Sequence, residues 1–548
     1  MQGAYAPRVQ LLALTLLAAG LRWFGLDARE LWIDEAFSLW MARLPWPELL
    51  STAAQLDHHP PLYYALLHIW VAGAGESEYG LRLLSAGVSV ASVPLAYQFA
   101  VRLVAGPRAR LTAALITVAP FHIAYAQEAR MYALLAFFAL WTMICAADVL
   151  GVGANTAKRS TPPARRVRAG VWMGVGQALV MWSHNSAAVL FPLALNGAAI
   201  GWLGYQWLRQ TRAAPTVDKR RCLDDFARSH TMRDWLMGQA IAALLWVAWL
   251  PAFWGQVQAV DQRFWVPVPT LETLWLAWQA WSYGHPPGGW LDGGWLMGAI
   301  WFATFAGVAG RGGRTLQRQG AVLGWLLGLW LIAPAMALAL SLRRPVFLPS
   351  TLIWTTWAYW VIVATGLVEL LRGAWSSSPG RVDWRGAAKF VRAIGAGCAI
   401  MLMSAALLGG LWGHYRAPPR EAWREAAAVV ADDAKSDDLL LFHASWTELP
   451  FRYHARARGW DLDEAMSVAG IPVDLFTGGE LEPPMTAADV SALRAAIAPY
   501  PRVWLVYSHA WYTDPDGLVP ATLGAEMVIV QHHELTGVDV YLFARVPD

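Results

Sequence analysis

The chain has 548 residues, of which 57% are hydrophobic and only 15% are charged, and its mean hydropathy is +0.36. An average soluble protein has roughly 25% charged residues, so this composition excludes a disordered chain or a coiled coil and favours a polytopic membrane protein. The net charge of +3 is unevenly divided, because residues 1–412 carry +13 and residues 413–548 carry −10. We therefore expect a basic membrane body followed by an acidic soluble segment, and no binding of nucleic acid.

The uncharged apolar runs predict eleven transmembrane helices, because a bilayer core of about 30 Å needs roughly 17–25 apolar residues per helix. In chain order the runs are 9–26, 83–101, 111–127, 131–147, two within 169–208, then 235–260, 293–310, 319–342, 345–368 and 393–415. The stretch 169–208 is predicted to break around His184. No small-residue cleavage site follows the first run, so we interpret it as an uncleaved span.

The run 58–75 decides the topology. Its apolar core is short and ends in a Gly-Ala-Gly sequence, which suits an interfacial or re-entrant segment. If this run does not cross the bilayer, 22 Lys and Arg residues fall in loops on one side, which must then be cytoplasmic. We therefore predict a cytoplasmic N-terminus, an extracytoplasmic C-terminus, and outer loops at 27–81 and 261–292.

Residues 413–548 are predicted to form a soluble α/β domain. The segment 420–434 has helical periodicity, a second helix is expected near 486–498, and 439–444, 503–509 and 540–546 have the pattern of buried strands. No Gly-rich phosphate loop follows a strand, so nothing indicates a nucleotide site. The three cysteines, at 145, 222 and 398, lie outside this domain and form no disulfide or metal-binding pattern.

Two adjacent acids in the first outer loop are candidates for chemistry. On a helix, Asp34 and Glu35 would project about 100° apart, so only one of them can point into a cavity. For these two residues alone, a polar loop whose acids cap a helix is the more ordinary interpretation.

A second polar group lies further along the same loop. Asp57 and His59 are two residues apart and face the same side of an extended segment, and His58 lies between them. A carboxylate and an imidazole suit a divalent metal, but two ligands do not define a metal site. An interfacial loop fixed by the Pro-Pro sequence at 60–61 is an equal alternative.

Several arginines are predicted on the outer side of the membrane, against the positive-inside bias. These arginines are Arg82, Arg130, Arg263, Arg343 and Arg344. A guanidinium suits bidentate recognition of a phosphate, although binding of lipid headgroups explains their position equally well. Glu128 lies near the start of a span, where the helix dipole favours an acid of any role. We interpret His184 as a satisfied polar residue rather than a ligand. Outer carboxylates and guanidiniums suit a reaction whose leaving group is a phosphate.

Four segments in this order resemble the GT-C superfamily of membrane glycosyltransferases: LWIDEAFSLW, DHHPPLYY, the Arg of EYGLRLLSAG, and FHIAYAQEARMYALL. The branch that they resemble is the bacterial one related to protein O-mannosyltransferases and aminoarabinose transferases. The resemblance is strong over about 20–150 and looser to 412, where WVPVP and RRPVFLP are similar to later loops of the family. The WREAAAVV opening of the C-terminal domain is similar to a domain often appended in this branch.

The resemblance implies a GT-C-like body, 1–412, of about 11 transmembrane helices with a periplasmic α/β domain, 413–548, in a bacterial inner membrane. It implies an enzyme that moves a sugar from a polyprenyl-phosphate donor to a lipid, glycan or protein acceptor, with inversion. Residue by residue, Asp34 would be the general base, Glu35 its support and Glu128 a second cavity acid. Since an exposed carboxylate is a weak base, we expect Asp34 to be half-buried. A divalent metal would be held by Asp57 and by His58 or His59, and the donor phosphate by Arg82, Arg130 and Arg343, with Arg263 and Arg344 as further candidates. Relatives often place Arg and Tyr together in the later segment, whereas Pro345 and Val346 follow Arg344 here, so either arginine of that pair fits.

Two other classes compete with this interpretation. A transporter or lipid flippase would carry ionisable residues at mid-membrane and often an internal repeat, whereas these spans are almost free of mid-span charge. A membrane anchor that displays residues 413–548 to a partner would need far fewer than eleven spans. The sequence identifies neither the sugar nor the acceptor.

Overall fold

The computed structural model of the protein describes residues 2–104, 106–153, 162–213, 229–262, 266–284, 314–375, 384–475 and 483–546. The chain divides into two compact units. We call Met1–Phe24 with Leu83–Ala417 the membrane unit, and Gly25–Arg82 with Pro418–Asp548 the loop–sheet unit. The compact units therefore differ from the boundaries expected from the sequence, because the first outer loop groups with the C-terminal segment rather than with residues 1–412.

The described part of the membrane unit is helical. Its helices are Gln2–Trp23, Glu78–Leu103, Gly106–Val118, Pro120–Ala126, Tyr132–Leu150, Pro163–Ser183, Asn185–Ala213, His230–Trp246, Leu250–Gln262, Leu271–Tyr283, Arg314–Ser341, Thr356–Trp375 and Trp384–Arg416. A short 3-10 turn at Val247–Trp249 joins the helices His230–Trp246 and Leu250–Gln262, and a second one at Ser350–Thr355 leads into the helix Thr356–Trp375.

Among the described residues, seven helices are long and apolar enough to cross a membrane, and the bent pair Gly106–Val118 and Pro120–Ala126, with an angle of 51°, makes an eighth candidate. These eight coincide with eight of the predicted spans. The run 9–26 falls largely within the 22-residue helix Gln2–Trp23, and the first half of 169–208 falls within Pro163–Ser183. The run 293–310 lies outside the described residues. The polytopic helical class predicted from the sequence is confirmed.

Glycines bring two of the membrane helices close together. A Cβ atom at Gly174 would lie 2.4 Å from the carbonyl oxygen of Gly238, and one at Gly238 would lie 2.7 Å from that of Gly170. Small residues of this kind let backbones approach where lipid offers no hydrophobic drive for helix association. The helices Pro163–Ser183 and His230–Trp246 are joined further by Arg166, whose Nε donates to Asp234 at 2.7 Å. A larger side chain at any of the three glycines would therefore separate these helices.

The C-terminal part of the loop–sheet unit contains a five-stranded sheet in the order β2-β1-β3-β5-β4. Its strands are β1 (Leu439–His443), β2 (Ser467–Gly470), β3 (Arg502–Tyr507), β4 (Val528–Leu535) and β5 (Val538–Ala544). The first three strands are parallel, and β5 is antiparallel to both β3 and β4. Alternate residues of β1 face two buried clusters, one around Phe442 and Trp504 and one around Leu441 and Leu505. Both faces of the sheet are therefore covered, as the predicted α/β class requires.

Helices cover this sheet and form the outer loop. In the C-terminal segment they are Trp423–Asp433, Glu448–Ala457, Leu462–Ala465, Val490–Ile497, Ala510–Thr513 and Leu518–Glu526, with a 3-10 turn at Ser445–Thr447. In the loop they are Ile33–Arg43, Trp46–Gln55 and Leu62–Ala74. The last has 13 residues, a length of about 20 Å at 1.5 Å per residue, which is too short for a bilayer core of about 30 Å. Its length agrees with the interfacial or re-entrant segment predicted at 58–75.

Candidate functional site

The two adjacent acids of the first outer loop occupy the first turn of the helix Ile33–Arg43. Trp32 precedes this helix in an extended conformation and provides no side-chain cap, so the first backbone N–H groups need other acceptors. Glu35 is buried, whereas Asp34 is half-buried. The two side chains thus have different environments, as their helical spacing predicts, and Asp34 is the acid that remains open to solvent.

Arg82 holds Glu35 in place. Its Nε and Nη2 donate to the two carboxylate oxygens of Glu35 at 2.8 and 2.6 Å. Its remaining N–H groups donate to the backbone carbonyl oxygens of Leu26, Arg29 and Glu30 at 2.6, 2.6 and 3.0 Å. All five guanidinium donors therefore have acceptors within the loop–sheet unit. The arrangement fixes residues 26–30 against the helix that carries Asp34.

The second polar group of the loop is also partly assembled. His59 Nδ1 lies 3.1 Å from Asp57 Oδ1, and the same oxygen accepts the backbone N–H of His58 at 2.7 Å. Asp57 is buried and both histidines are half-buried. Burial lowers the pKa of His58 below its ordinary value. Within the part of the chain that the structure describes, no group of three or more His, Cys, Asp or Glu side chains is placed to hold a metal ion.

In the membrane unit, Glu128 and Arg130 lie in the non-helical junction between Pro120–Ala126 and Tyr132–Leu150, and both are buried. Neighbouring residues fix this junction. The Gln127 amide donates to the carbonyl oxygens of Arg22 and Phe24 at 3.2 and 2.8 Å, and its oxygen lies 2.7 Å from His414 Nε2. Two buried charged side chains in a fixed, non-helical junction are unusual within an apolar body and mark this position as a candidate site.

The remaining candidates have varied environments. Arg343 and Arg344 are exposed in the turn after the helix Arg314–Ser341, where the Ser341 hydroxyl accepts the backbone N–H of Val346 at 3.0 Å. Arg263 lies outside the described residues. His184 occupies the predicted break between two helices, and its Nδ1 lies 3.0 Å from the hydroxyl of Ser186. This contact agrees with the interpretation of His184 as a satisfied polar residue.

Two residues of the C-terminal segment that the sequence did not single out contact the start of the Asp34 helix. The buried Glu421 carboxylate accepts the backbone N–H of Ile33 at 2.9 Å and the indole N–H of Trp423 at 2.6 Å. His509 Nε2 lies 3.5 Å from the other oxygen of Glu421. No local sequence pattern identifies these two residues as functional, because Glu421 simply precedes an amphipathic helix and His509 follows a strand.

A group of polar contacts joins the loop to the C-terminal helices at the same end. Arg424 donates to Glu78 at 3.0 Å, and the Tyr453 hydroxyl donates to the backbone carbonyl of Glu76 at 3.1 Å. The side chain of Glu30 accepts the backbone N–H of Arg424, while burial raises its pKa. His454 is buried nearby, and burial lowers its pKa to about 4. The C-terminal segment thus provides partners for several acids of the loop.

The fold is similar to that of known proteins over its full length. ArnT from Cupriavidus metallidurans in the apo state matches with a TM-score of 0.57, at 14% identity and over 98% of each chain. The chain has the GT-C fold. The fold implied by the sequence resemblance is therefore confirmed.

Two further structures with this GT-C fold match at similar levels. ArnT from the same organism bound to undecaprenyl phosphate gives a TM-score of 0.52 at 14% identity, over 97% of each chain. The oligosaccharyltransferase of Archaeoglobus fulgidus in complex with Zn and sulfate gives 0.52 at 12% identity, over 97% of this chain and 72% of that one. No protein-family model and no curated protein matches the chain.

Proposed function

We propose that this protein is a membrane glycosyltransferase that moves a sugar from a polyprenyl-phosphate donor to a lipid, glycan or protein acceptor at the extracytoplasmic face. The observation that carries the proposal is a half-buried Asp34 at the first turn of a helix, beside a fully bonded Glu35–Arg82 pair, in a chain with the GT-C fold. Undecaprenyl phosphate is the ligand of one ArnT structure with this fold, and it is a polyprenyl phosphate.

The chemistry requires a base and stabilisation of a leaving phosphate. Asp34 takes the proton of the acceptor hydroxyl as its oxygen attacks the anomeric carbon from the face opposite the phosphate. The bond from that carbon to the phosphate oxygen breaks, and polyprenyl phosphate leaves with the electron pair. Attack from the opposite face inverts the anomeric centre. A phosphate is a good leaving group, so its negative charge needs stabilisation more than it needs a proton.

We assign different roles to the other candidates. We propose that Glu35 and Arg82 position Asp34, in place of the phosphate-binding role expected for Arg82, because every donor of Arg82 is used within the loop–sheet unit. Glu128 is proposed as the second acid of the site. Arg130, Arg343 and Arg344 are proposed to bind the donor phosphate, and Arg263 is kept as a candidate from the sequence alone.

Asp57 and His59 do not make a complete metal site. A catalytic metal usually has three protein ligands, and no third His, Cys, Asp or Glu of the described residues is placed to form such a group with these two. A divalent ion would need oxygens of the donor phosphate to complete its coordination here. We derive no step through a metal.

The competing classes are less well supported. A transporter or flippase would use charges within its spans, whereas Asp34, Glu35 and Asp57 lie in the loop–sheet unit. We propose an integral protein of a bacterial inner membrane with its N-terminus in the cytoplasm and its C-terminal domain in the periplasm. A C-terminal alkaline phosphatase fusion should be active and a C-terminal green fluorescent protein fusion dark; the reverse result contradicts this orientation.

The test of function is a transfer assay on the purified protein with a panel of polyprenyl-phosphate sugars and membrane extract as acceptor. The readout is release of polyprenyl phosphate. We expect release by the wild type and by Asp27→Asn, an exposed Asp of the same loop, and none by a folded Asp34→Asn. Turnover by Asp34→Asn would remove the base assignment. Movement of a labelled lipid across vesicles without any release would favour the flippase.

A further inference from the structure

The carboxyl ends of the parallel strands β1 and β3 lie beside the start of the Asp34 helix. The two strand ends are joined by Ala444 and Ser508, whose backbone N–H and carbonyl groups meet at 3.1 Å. Ile33 packs with Ala444 and Trp446 in one small apolar cluster. In α/β sheets, functional groups gather beyond the carboxyl ends of the strands. Here that edge meets the first turn of the helix Ile33–Arg43 within one compact unit.

Glu421 provides the acceptor that this helix lacks locally. Its carboxylate accepts the N–H of Ile33, the first residue of the helix, at 2.9 Å. The first N–H groups of a helix have no partner within the helix, and the helix dipole favours an anion there. The adjacent Arg420 places its guanidinium 4.2 Å from the ring of Trp32. Arg420 and Glu421, which are adjacent in the C-terminal segment, therefore contact Trp32 and Ile33, the two residues just before Asp34.

His509 forms the next contact behind Glu421. It is the only described residue other than glycine with a positive φ, at 58°. The Ser508 hydroxyl donates to the carbonyl of Gly537 at 2.6 Å and lies 3.0 Å from His509 Nδ1, so it accepts the Nδ1–H. Neutral His509 therefore carries its lone pair on Nε2, which lies 3.5 Å from the carboxyl oxygen of Glu421 and can accept a proton from it. An unfavourable backbone conformation is maintained where the ring reaches the carboxylate, which is typical of functional positions.

The pair lies in the electrostatic field of Asp34. Burial, with a contribution from the charge of Asp34, raises the pKa of Glu421 to about 7. Burial lowers the pKa of His509, and the same aspartate opposes that shift. The charged and titratable groups that face Glu421 are Asp34, Arg420 and His509. A change in the charge of Glu421 therefore acts on the immediate surroundings of the candidate base.

We propose that Glu421 and His509 are positioning residues for Asp34, through which the C-terminal sheet fixes the first turn of the helix that carries the base. The inference rests on the proposed function for the identity of the base. The ionised Glu421 is the better acceptor for the N–H of Ile33, whereas a protonated Glu421 can donate to the Nε2 lone pair of neutral His509. Protonation of Glu421 therefore favours its contact with His509 and weakens its contact with the Ile33 N–H in the first helical turn. The C-terminal domain is thus part of the catalytic apparatus rather than only a cover or an acceptor-binding module.

The experiment compares Glu421→Gln, Glu421→Ala and His509→Asn with the wild type in the transfer assay from pH 5.5 to 8.5. Asn tolerates the left-handed backbone of position 509 and removes the imidazole. Glu448→Gln is the matched control, because Glu448 is also buried in the C-terminal domain but its partner is Arg452. Hydrogen–deuterium exchange of peptides covering 31–40 is measured on the same preparations and needs no turnover.

We expect kcat to fall about 10-fold in Glu421→Gln and His509→Asn and about 100-fold in Glu421→Ala, because a small displacement of a catalytic group is costly. The KM for the donor should change less than about twofold, since neither residue is assigned to the phosphate. Wild-type activity should rise through pH 7 as Glu421 ionises, and Glu421→Gln should lose that inflection. Exchange in 31–40 should be faster in Glu421→Ala and His509→Asn and unchanged in Glu448→Gln.

A wild-type pH profile in Glu421→Gln together with wild-type exchange in Glu421→Ala would overturn the positioning role and leave the enzyme class intact. A loss of activity with an unchanged pH inflection would also overturn it, because a purely structural role predicts that result. If the wild type releases no polyprenyl phosphate, the proposed function fails, while exchange in 31–40 still decides whether Glu421 and His509 hold the helix. His509→Asn keeps the test open if the Glu421 variants do not fold.

Discussion

Arg82 binds both carboxylate oxygens of Glu35, and its other three N–H groups bind backbone carbonyls of residues 26–30. Both side chains are buried, at 4% and 1% exposure. A buried ion pair of this kind adds little more to the free energy of unfolding than an apolar pair of similar size would. Removing one partner is costly, however, because it leaves an uncompensated buried charge.

The Glu35–Arg82 pair should therefore be sensitive to single substitutions. We expect Arg82→Met to destabilise the protein by about 3–5 kcal/mol, and Arg82→Lys to do much the same because an ammonium cannot reach five acceptors in a plane. The double variant Glu35→Gln with Arg82→Met should recover part of the loss. The midpoint of thermal unfolding in detergent measures the stability of each variant. Arg102→Met is the control, since its partner Asp148 is 3.0 Å away in a partly exposed site. Equal midpoints for Arg82→Met and Arg102→Met would contradict the assignment.

The arginines proposed for the donor phosphate should change donor binding. We expect Arg130→Gln to weaken binding of labelled polyprenyl phosphate by about tenfold or more, because a charge-assisted hydrogen bond is worth about 1.5–3 kcal/mol. We expect Arg343→Gln and Arg344→Gln, which change the two exposed arginines proposed for the same phosphate, to weaken binding as well. Arg165→Gln, an exposed base between two spans, is the control. Wild-type affinity in Arg130→Gln would exclude Arg130 from the phosphate site.

Chelation tests the metal ligands suggested by the sequence. Asp57 and His59 supply two ligands, and no third His, Cys, Asp or Glu among the described residues forms a group with them, so we expect turnover in excess EDTA to stay within about twofold of the untreated rate. Asp57→Asn should still transfer sugar. Loss of activity in EDTA, its recovery with Mn²⁺ or Mg²⁺, and a higher metal requirement in Asp57→Asn would together indicate a site completed by the donor phosphate.

Glu421 should make stability depend on pH in a defined direction. Its pKa in the folded protein is about 7, above the ordinary 4.5, so the folded state binds this proton more tightly than the unfolded state. The resulting stabilisation is complete below about pH 4.5 and is lost as the pH rises through 7, a change of about 3 kcal/mol. We expect Glu421→Gln to flatten the fall in thermal midpoint between pH 5 and 8, relative to the wild type. Glu464→Gln, an exposed acid, should keep the wild-type dependence, and an unchanged slope in Glu421→Gln would contradict the prediction.

Most of the membrane architecture could be predicted because a span is a local property of the sequence. An apolar run of sufficient length predicts a helix without reference to the rest of the chain, and even the break at His184 was visible as a polar interruption. The buried strands β1, β3 and β5 were predicted for the same reason. The strands β2 and β4 were missed. The first is only four residues long, and the second is a partly exposed edge strand with the polar sequence QHHE.

The site was less predictable because its contacts join distant residues. The acids at 34 and 35 could be found by their spacing and resemblance, but the partner of Glu35 is 47 residues away and that of Ile33 is 388 residues away. No local pattern distinguishes an arginine that binds phosphate from one that binds five protein acceptors, as Arg82 does. The same limit applies to Glu421 and His509, whose roles depend on which element they contact.

The order of synthesis gives this long-range contact a further consequence. Residues 25–82 are synthesised well before residues 418–548, which complete the same compact unit. Until then, Ile33 lacks its carboxylate acceptor, and Glu30 and Glu78 lack their partners on Arg424. A nascent or truncated chain therefore holds an unfinished first loop, however well its spans are inserted. The proposed transfer activity would therefore begin only after residues 418–548 have been made, which would protect the proposed lipid-linked donor from premature use.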